Sequence, residues 1–96
     1  MRFENLNLHS SLIQAVKDQN YSEPTAIQQQ AIPLILKKND VLGSAQTGTG
    51  KTAAFGLPIV QQIDPSNTAV QALILSPTRE LVQQIKKQLF KYTKYY

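Results

Sequence analysis

Cysteine is absent from the 96 residues, so neither a disulfide framework nor a thiolate metal site can form. Histidine occurs once, as His9, which excludes a histidine-based metal centre and leaves a polar residue near a helix start. No apolar run approaches the length of a membrane span, and Met1-Arg2-Phe3-Glu4-Asn5 lacks the apolar core of a signal peptide. A cytoplasmic protein is the default expectation. Acidic residues are scarce, six against ten Lys and Arg, and the resulting charge of +4 favours an acidic partner such as nucleic acid or a nucleotide. Many small domains carry as much, so charge alone decides little.

With 42% apolar and 17% charged residues, the chain has the composition of one small globular domain. Its centre is Ala45-Gln46-Thr47-Gly48-Thr49-Gly50-Lys51-Thr52. This is the spacing of a phosphate-cradling P-loop, with Ala45 in the place usually held by the first glycine. Gly48 and Gly50 can take backbone angles closed to other residues, so successive N–H groups can turn toward phosphate oxygens. A helix beginning near Lys51 adds its free N–H groups and the positive end of its dipole. Lys51 then reaches the outer phosphates, and the Thr52 hydroxyl is offered to a bridging Mg2+. The plainer reading is a polar turn between strand and helix, with Lys51 solvated.

Around this loop the apolar spacing predicts alternating elements. Leu12, Ile13 and Val16 mark a short helix behind Asn7 and Ser10, fading at Lys17-Asp18-Gln19-Asn20. A second helix starts at Ser22-Glu23-Pro24-Thr25, with Ile27, Ala31, Leu34 and Ile35 on one stripe and a bend expected at Pro33. Asp40-Val41-Leu42-Gly43-Ser44, apolar at its centre, reads as a short buried strand that feeds the loop. The helix after Thr52 is apolar on nearly every side, weakened at Gly56 and Pro58, and ends at Asp64-Pro65-Ser66-Asn67. Val70-Gln71-Ala72-Leu73-Ile74-Leu75-Ser76 is the clearest strand, which makes a parallel βαβ unit. The last helix opens at Pro77-Thr78-Arg79-Glu80-Leu81, with Leu81, Ile85, Leu89 and Tyr92 on its apolar stripe. Lys86, Lys87, Lys91 and Lys94 fall on the other side, where a solvated face is the ordinary reading and a nucleic-acid surface the other. Phe90 sits among them, as a contact or as part of a frayed end.

Thr25 and Gln28 carry two readings. Thr-x-x-Gln is a capping box, whose side chains satisfy the first free N–H groups of a helix. Alternatively the Gln28 amide, both donor and acceptor, reads an adenine edge that presents the same functions in reverse. The tetrapeptide does not separate the two.

The run Asn20-Tyr21-Ser22-Glu23-Pro24-Thr25-Ala26-Ile27-Gln28 resembles the Q motif of DEAD-box RNA helicases, Gly-aromatic-x-x-Pro-Thr-x-Ile-Gln, which has an isolated aromatic upstream where Phe3 stands. Asn20 replaces the glycine, a modest departure because Asn tolerates the left-handed conformation. The resemblance implies that Gln28 hydrogen-bonds adenine, that Phe3 stacks on the base and that Thr25 ties the motif to the P-loop. By itself Phe3 reads as a core residue. Pro77-Thr78-Arg79-Glu80-Leu81 is similar to motif Ia of the same family, which implies that Pro77, Thr78, Arg79 and Glu80 grip single-stranded RNA by its backbone; the plain alternative is an ordinary helix start.

Together the three motifs imply an α/β fold, the front of a RecA-like P-loop domain over residues 1–96 with a Q-motif region over 1–29, binding ATP, Mg2+ and RNA. The acids Glu4, Asp18, Glu23, Asp40, Asp64 and Glu80 include none in an Asp-Glu-Ala-Asp strand end, and no Ser-Ala-Thr motif occurs. No complete catalytic set is therefore expected, and the chain should depend on the remainder of the helicase core. The rival expectations are a non-enzymatic nucleotide or RNA-binding module and a truncated gene product. In the family, strands carrying the missing motifs lie between the two strands here, so Val41 and Leu73 are expected on unpaired edges.

Overall fold

Apolar residues at helical spacing decide most of the architecture. In the computed structural model, which describes residues 2–44 and 50–95, a 3-10 turn at Phe3–Leu6 precedes α1 (Ser10–Asp18), α2 (Ala26–Leu36), α3 (Lys51–Gln62) and α4 (Arg79–Tyr92). In α1, Leu12, Ala15 and Val16 share one face and are buried, whereas Gln14, Lys17 and Asp18 face outward. Asn20, just beyond it, takes φ 63°, the left-handed conformation expected of a residue standing where glycine is usual. Both α2 and α3 continue through a proline, Pro33 and Pro58 respectively. Each ring removes a single backbone donor, and the helices persist because their faces are packed.

α3 is the central element. Ala53, Ala54, Gly56, Leu57, Pro58 and Val60 are buried, as its nearly continuous apolar sequence predicts. It packs between α2 and α4, and the core gathers around it from Phe3, Leu6, Leu8, Leu12, Val16, Ile32, Leu57 and Tyr92. At Gly56 the absence of a side chain sets the approach of α4, because a Cβ there would meet Leu89 Cδ2 at 2.6 Å. The C-terminal end of α3 is tied to the N-terminal arm by Gln61, whose Oε1 accepts the His9 N–H at 2.7 Å while its Nε2 donates to the Asn7 carbonyl at 2.9 Å. Gln62 Nε2 donates to the Ile35 carbonyl at 3.2 Å, joining α3 to the end of α2.

α4 differs from the other helices in burying only Tyr92. Ile85 and Leu89 are half-buried, but Leu81 is exposed, so the expected apolar stripe is covered at one end only. The helix continues through Phe90 and stops at Thr93, so the aromatic ring is displayed on an ordered helix. Asp18 of α1 holds the following turn: its Oδ2 accepts the Tyr95 hydroxyl and pairs with Lys94 Nζ at 3.2 Å.

The expected parallel sheet is not confirmed. Among the described residues no strand forms; residues 40–44 and 70–75 are non-helical, and no pairing joins them. Leu42 is fully exposed and Leu73 is 80% exposed. The physical reason is that a strand exists only through hydrogen bonds to a neighbour, and these two segments have none within reach. The α/β expectation thus finds its helices in place and its sheet unformed. Among the described residues no helix is long and apolar enough to cross a membrane, and no cluster of His, Cys, Asp or Glu could hold a metal ion.

Leu57→Ala should destabilise the chain by about 2 to 5 kcal/mol, the range for an emptied core leucine, read as a lowered urea midpoint followed by circular dichroism. The Tyr95 hydroxyl, then Gln14 and Lys94, hold the Asp18 carboxyl below its ordinary value. A depressed folded-state value means that the contact is fully present above the unfolded value and is lost as pH falls through the folded one. Amide exchange at residues 93–95 should therefore accelerate on acidification below about pH 4, beyond the intrinsic trend, and Asp18→Asn should remove that pH response.

Candidate nucleotide site

The start of α2 and the start of α3 are joined by one small hydrogen-bonded ring. Thr25 caps α2: its N–H donates to Gln28 Oε1 at 3.0 Å, and its Oγ1 accepts the Gln28 N–H at a long 3.5 Å. Gln28 Nε2 then donates to the carbonyl of Gly50 at 3.1 Å, crossing from α2 to the residue that precedes Lys51. The capping-box reading of Gln28 is thus realised. The amide does more than cap, because its nitrogen is spent on the loop. One N–H and one lone pair of the amide remain unused by this ring, at the edge of a cleft.

Gly50 is required here on two counts. Its φ is 85°, and a Cβ would run into the Gln28 amide nitrogen and come within 3.3 Å of Thr25 Oγ1. It is the N-cap of α3 with no side-chain acceptor, so the first N–H groups of α3 lack the usual capping oxygen. Lys51, the first helical residue, is exposed, and Thr52 is half-buried beside it. Cation, hydroxyl and helix start together make a local anion-binding arrangement.

The cleft bordered by Thr25, Gln28, Gly50, Lys51 and Thr52 has a volume of about 610 Å³, within the size range of small-molecule sites. Its far wall is α4, through Gln84, Gln88 and Tyr92, with Tyr21 and Phe55 supplying further aromatic surface. Burial, with the neighbouring Tyr21 hydroxyl, holds the Tyr92 phenol above its ordinary range and therefore neutral. From the sequence, Tyr92 is a stripe residue of the last helix, and neither Gln84 nor Gln88 is marked as part of a site. The 3.6-residue spacing places Gln84, Gln88 and Tyr92 on one side of α4, but only the packing of α4 against α3 turns that side toward Lys51.

Other expected site residues lie elsewhere. Phe3 is 3% exposed within the core and is not part of the cleft wall. Ala45, Gln46, Thr47, Gly48 and Thr49 fall outside the described residues. Pro77, Thr78, Arg79 and Glu80 are exposed at the start of α4, where Thr78 Oγ1 accepts the Leu81 N–H at 3.1 Å as an ordinary cap. Arg79 borders a separate open groove with Gln83, Lys86, Lys87 and Phe90.

The model of the DEAD/DEAH box helicase family matches residues 25–96, from the Thr25 cap onward. The chain belongs to this family. An ATP-dependent RNA helicase CshA of Limosilactobacillus reuteri is 53% identical over 91 residues, covering 95% of this chain and 18% of the relative. A DEAD-box ATP-dependent RNA helicase CshB of Staphylococcus aureus is 54% identical over 83 residues, again 18% of its length. Among solved structures, S. cerevisiae Dbp5 bound to RNA and ADP BeF3 superimposes with a TM-score of 0.93 at 32% identity, over 99% of this chain and 25% of that one. A DEAD box protein from Methanococcus jannaschii gives 0.90 at 35% identity, over 96% and 25%. This helicase-family chain thus spans about a fifth of the length of the curated relatives it matches, and its helices and extended segments follow the path of RecA-like domains although no strand forms among the described residues.

Gly50→Ala should lower the thermal midpoint by several degrees, because the added methyl displaces the Gln28 amide and strains a positive φ at a combined cost of about 1 to 3 kcal/mol. The double variant with Gln28→Ala should regain only the steric part, which a thermal-unfolding double-mutant cycle resolves.

Proposed function

We propose that this chain carries the adenine, phosphate and RNA-backbone contacts of an ATP-dependent RNA helicase and does not turn over ATP by itself. The observation that carries the reading is the ring Thr25, Gln28 and Gly50, which sets a partly unused amide beside the anion-binding start of α3 at the rim of one cleft. Gln28 offers the remaining N–H and lone pair to the adenine edge. Lys51 and the α3 N–H groups meet the phosphates, together with the Ala45 to Thr49 backbone. Thr52 would hold Mg2+ with its hydroxyl, a suitable donor because a magnesium ion takes few protein ligands. When bound, the ion neutralises charge on the phosphates. Phe3, as the stacking residue, would have to leave the core, whereas Tyr21 already borders the cleft.

RNA is assigned to Pro77, Thr78, Arg79 and Glu80, which are exposed and do not line the nucleotide cleft. Hydrolysis needs an acid for the metal and a group to orient water. Glu23 is the acidic residue in the cleft wall and stands on the loop before α2. The exposed apolar segments 40–44 and 70–75 favour a unit that works with the remainder of a helicase core over a self-contained binding module.

Lys51→Ala should weaken ATP binding at least tenfold, about the 1.5 to 3 kcal/mol of a charge-assisted contact, in a fluorescent-nucleotide titration. Gln28→Ala should instead narrow the preference for ATP over GTP. RNA-stimulated ATP turnover by the wild-type chain alone would overturn the claim that it lacks catalysis, and equal wild-type affinity for both nucleotides would return Gln28 to a purely structural role.

A further inference from the structure

The outer side of α4 holds a second surface that the nucleotide site does not use. Arg79, Val82, Gln83, Lys86, Lys87 and Phe90 line an open groove of about 540 Å³. At 3.6 residues per turn these positions share one side of the helix, along about 16 Å of its length. Among the described residues no carboxylate pairs with Arg79, Lys86 or Lys87; the ion pairs involve Arg2, Lys17 and Lys94. No acid lines the groove. Phe90 is 70% exposed at its far end, and it also lines an adjoining apolar cleft with Ile74, Val82, Ile85 and Leu89.

We infer that this groove binds single-stranded RNA beyond the helix start, with phosphates on Arg79, Lys86 and Lys87 and one base stacked on Phe90. Unpaired cations spaced along a track, ending in a displayed aromatic ring, are the combination by which proteins hold single strands without reading sequence. A solvated lysine face explains the charges but not the exposed apolar edge, Val82 and Phe90, that runs beside them. A second copy of this chain is disfavoured by the same cations, which would oppose one another across the contact. An acidic peptide would match the charge but would leave the ring unused. The inference extends the RNA assignment at Pro77 to Glu80 and rests on it.

The test is fluorescence anisotropy of a labelled oligouridylate with the full 96-residue chain across a salt series, with helix content checked by circular dichroism. Replacing both Lys86 and Lys87 by Gln should reduce the slope of log affinity against log salt by about 1.4, two phosphate contacts at roughly 0.7 each for a single strand. Phe90→Ala should weaken binding by roughly 5-fold to 100-fold with the slope unchanged, whereas Phe90→Tyr should retain it. ATP affinity should be unaltered in all three variants. If Arg79→Gln loses RNA affinity while the Lys86/Lys87 and Phe90 variants match the wild type, the groove is overturned and the helix-start assignment stands. If the wild-type chain shows no RNA binding while retaining ATP, both RNA assignments fail and the nucleotide reading survives. Displacement of the RNA by polyglutamate at equal charge concentration, with affinity indifferent to Phe90, would assign the groove to acidic peptides and overturn the inference.

Discussion

The hydrogen bond from the Gln28 amide to the Gly50 carbonyl links two otherwise separate pieces of local structure. On one side is the capped start of α2, held by Thr25; on the other is the glycine whose left-handed backbone releases α3 toward the cleft. Because Gln28 is 3% exposed, an unpaired amide there would carry a desolvation cost, so the bond is selected as much by what its loss would leave unsatisfied as by its own strength. The same contact explains why position 50 admits only glycine: the amide occupies the space a Cβ would take.

α3 converts that local join into a fold. Its N-terminal end faces the cleft, its middle forms the core with residues of α1, α2 and α4, and its C-terminal end is fastened through Gln61 and Gln62 to the N-terminal arm and to α2. Lys51, to which phosphate binding is proposed, and the core residues Leu57 and Val60 therefore lie on one helix. The weakly buried part of the molecule is the opposite one. α4 covers α3 with a single fully buried residue, Tyr92, and leaves Val82, Phe90 and the 70–75 segment facing outward.

Much of this was legible in the residues. Helix positions followed from apolar spacing at Leu12 and Val16 and at Ala53 to Val60, the α2 cap from Thr25, the start of α4 from Pro77 to Leu81, and the left-handed turn from Asn20. The strands at Val41 and Val70 to Ser76 were read from their composition, yet no strand forms among the described residues. β-propensity describes suitability for a pleated surface, and pairing needs a neighbour that composition cannot guarantee. Phe3 shows the opposite case: bare sequence favoured the core, family resemblance pointed to the base, and the structure places it in the core.

By itself the sequence determined the local chemistry: which residues cap helices, where a glycine can turn the backbone, which cation follows it, and that the three motifs occur in helicase order. These depend on contacts between near neighbours in the chain, where spacing is enough. The tertiary structure alone decided that the Gln28 amide spans from α2 to Gly50, that Gln84, Gln88 and Tyr92 close the cleft, and that Arg79 and Phe90 share a separate outward groove. Each of these depends on the mutual packing of helices, and for the cleft wall on α4 that packing includes the close approach of Leu89 to Gly56.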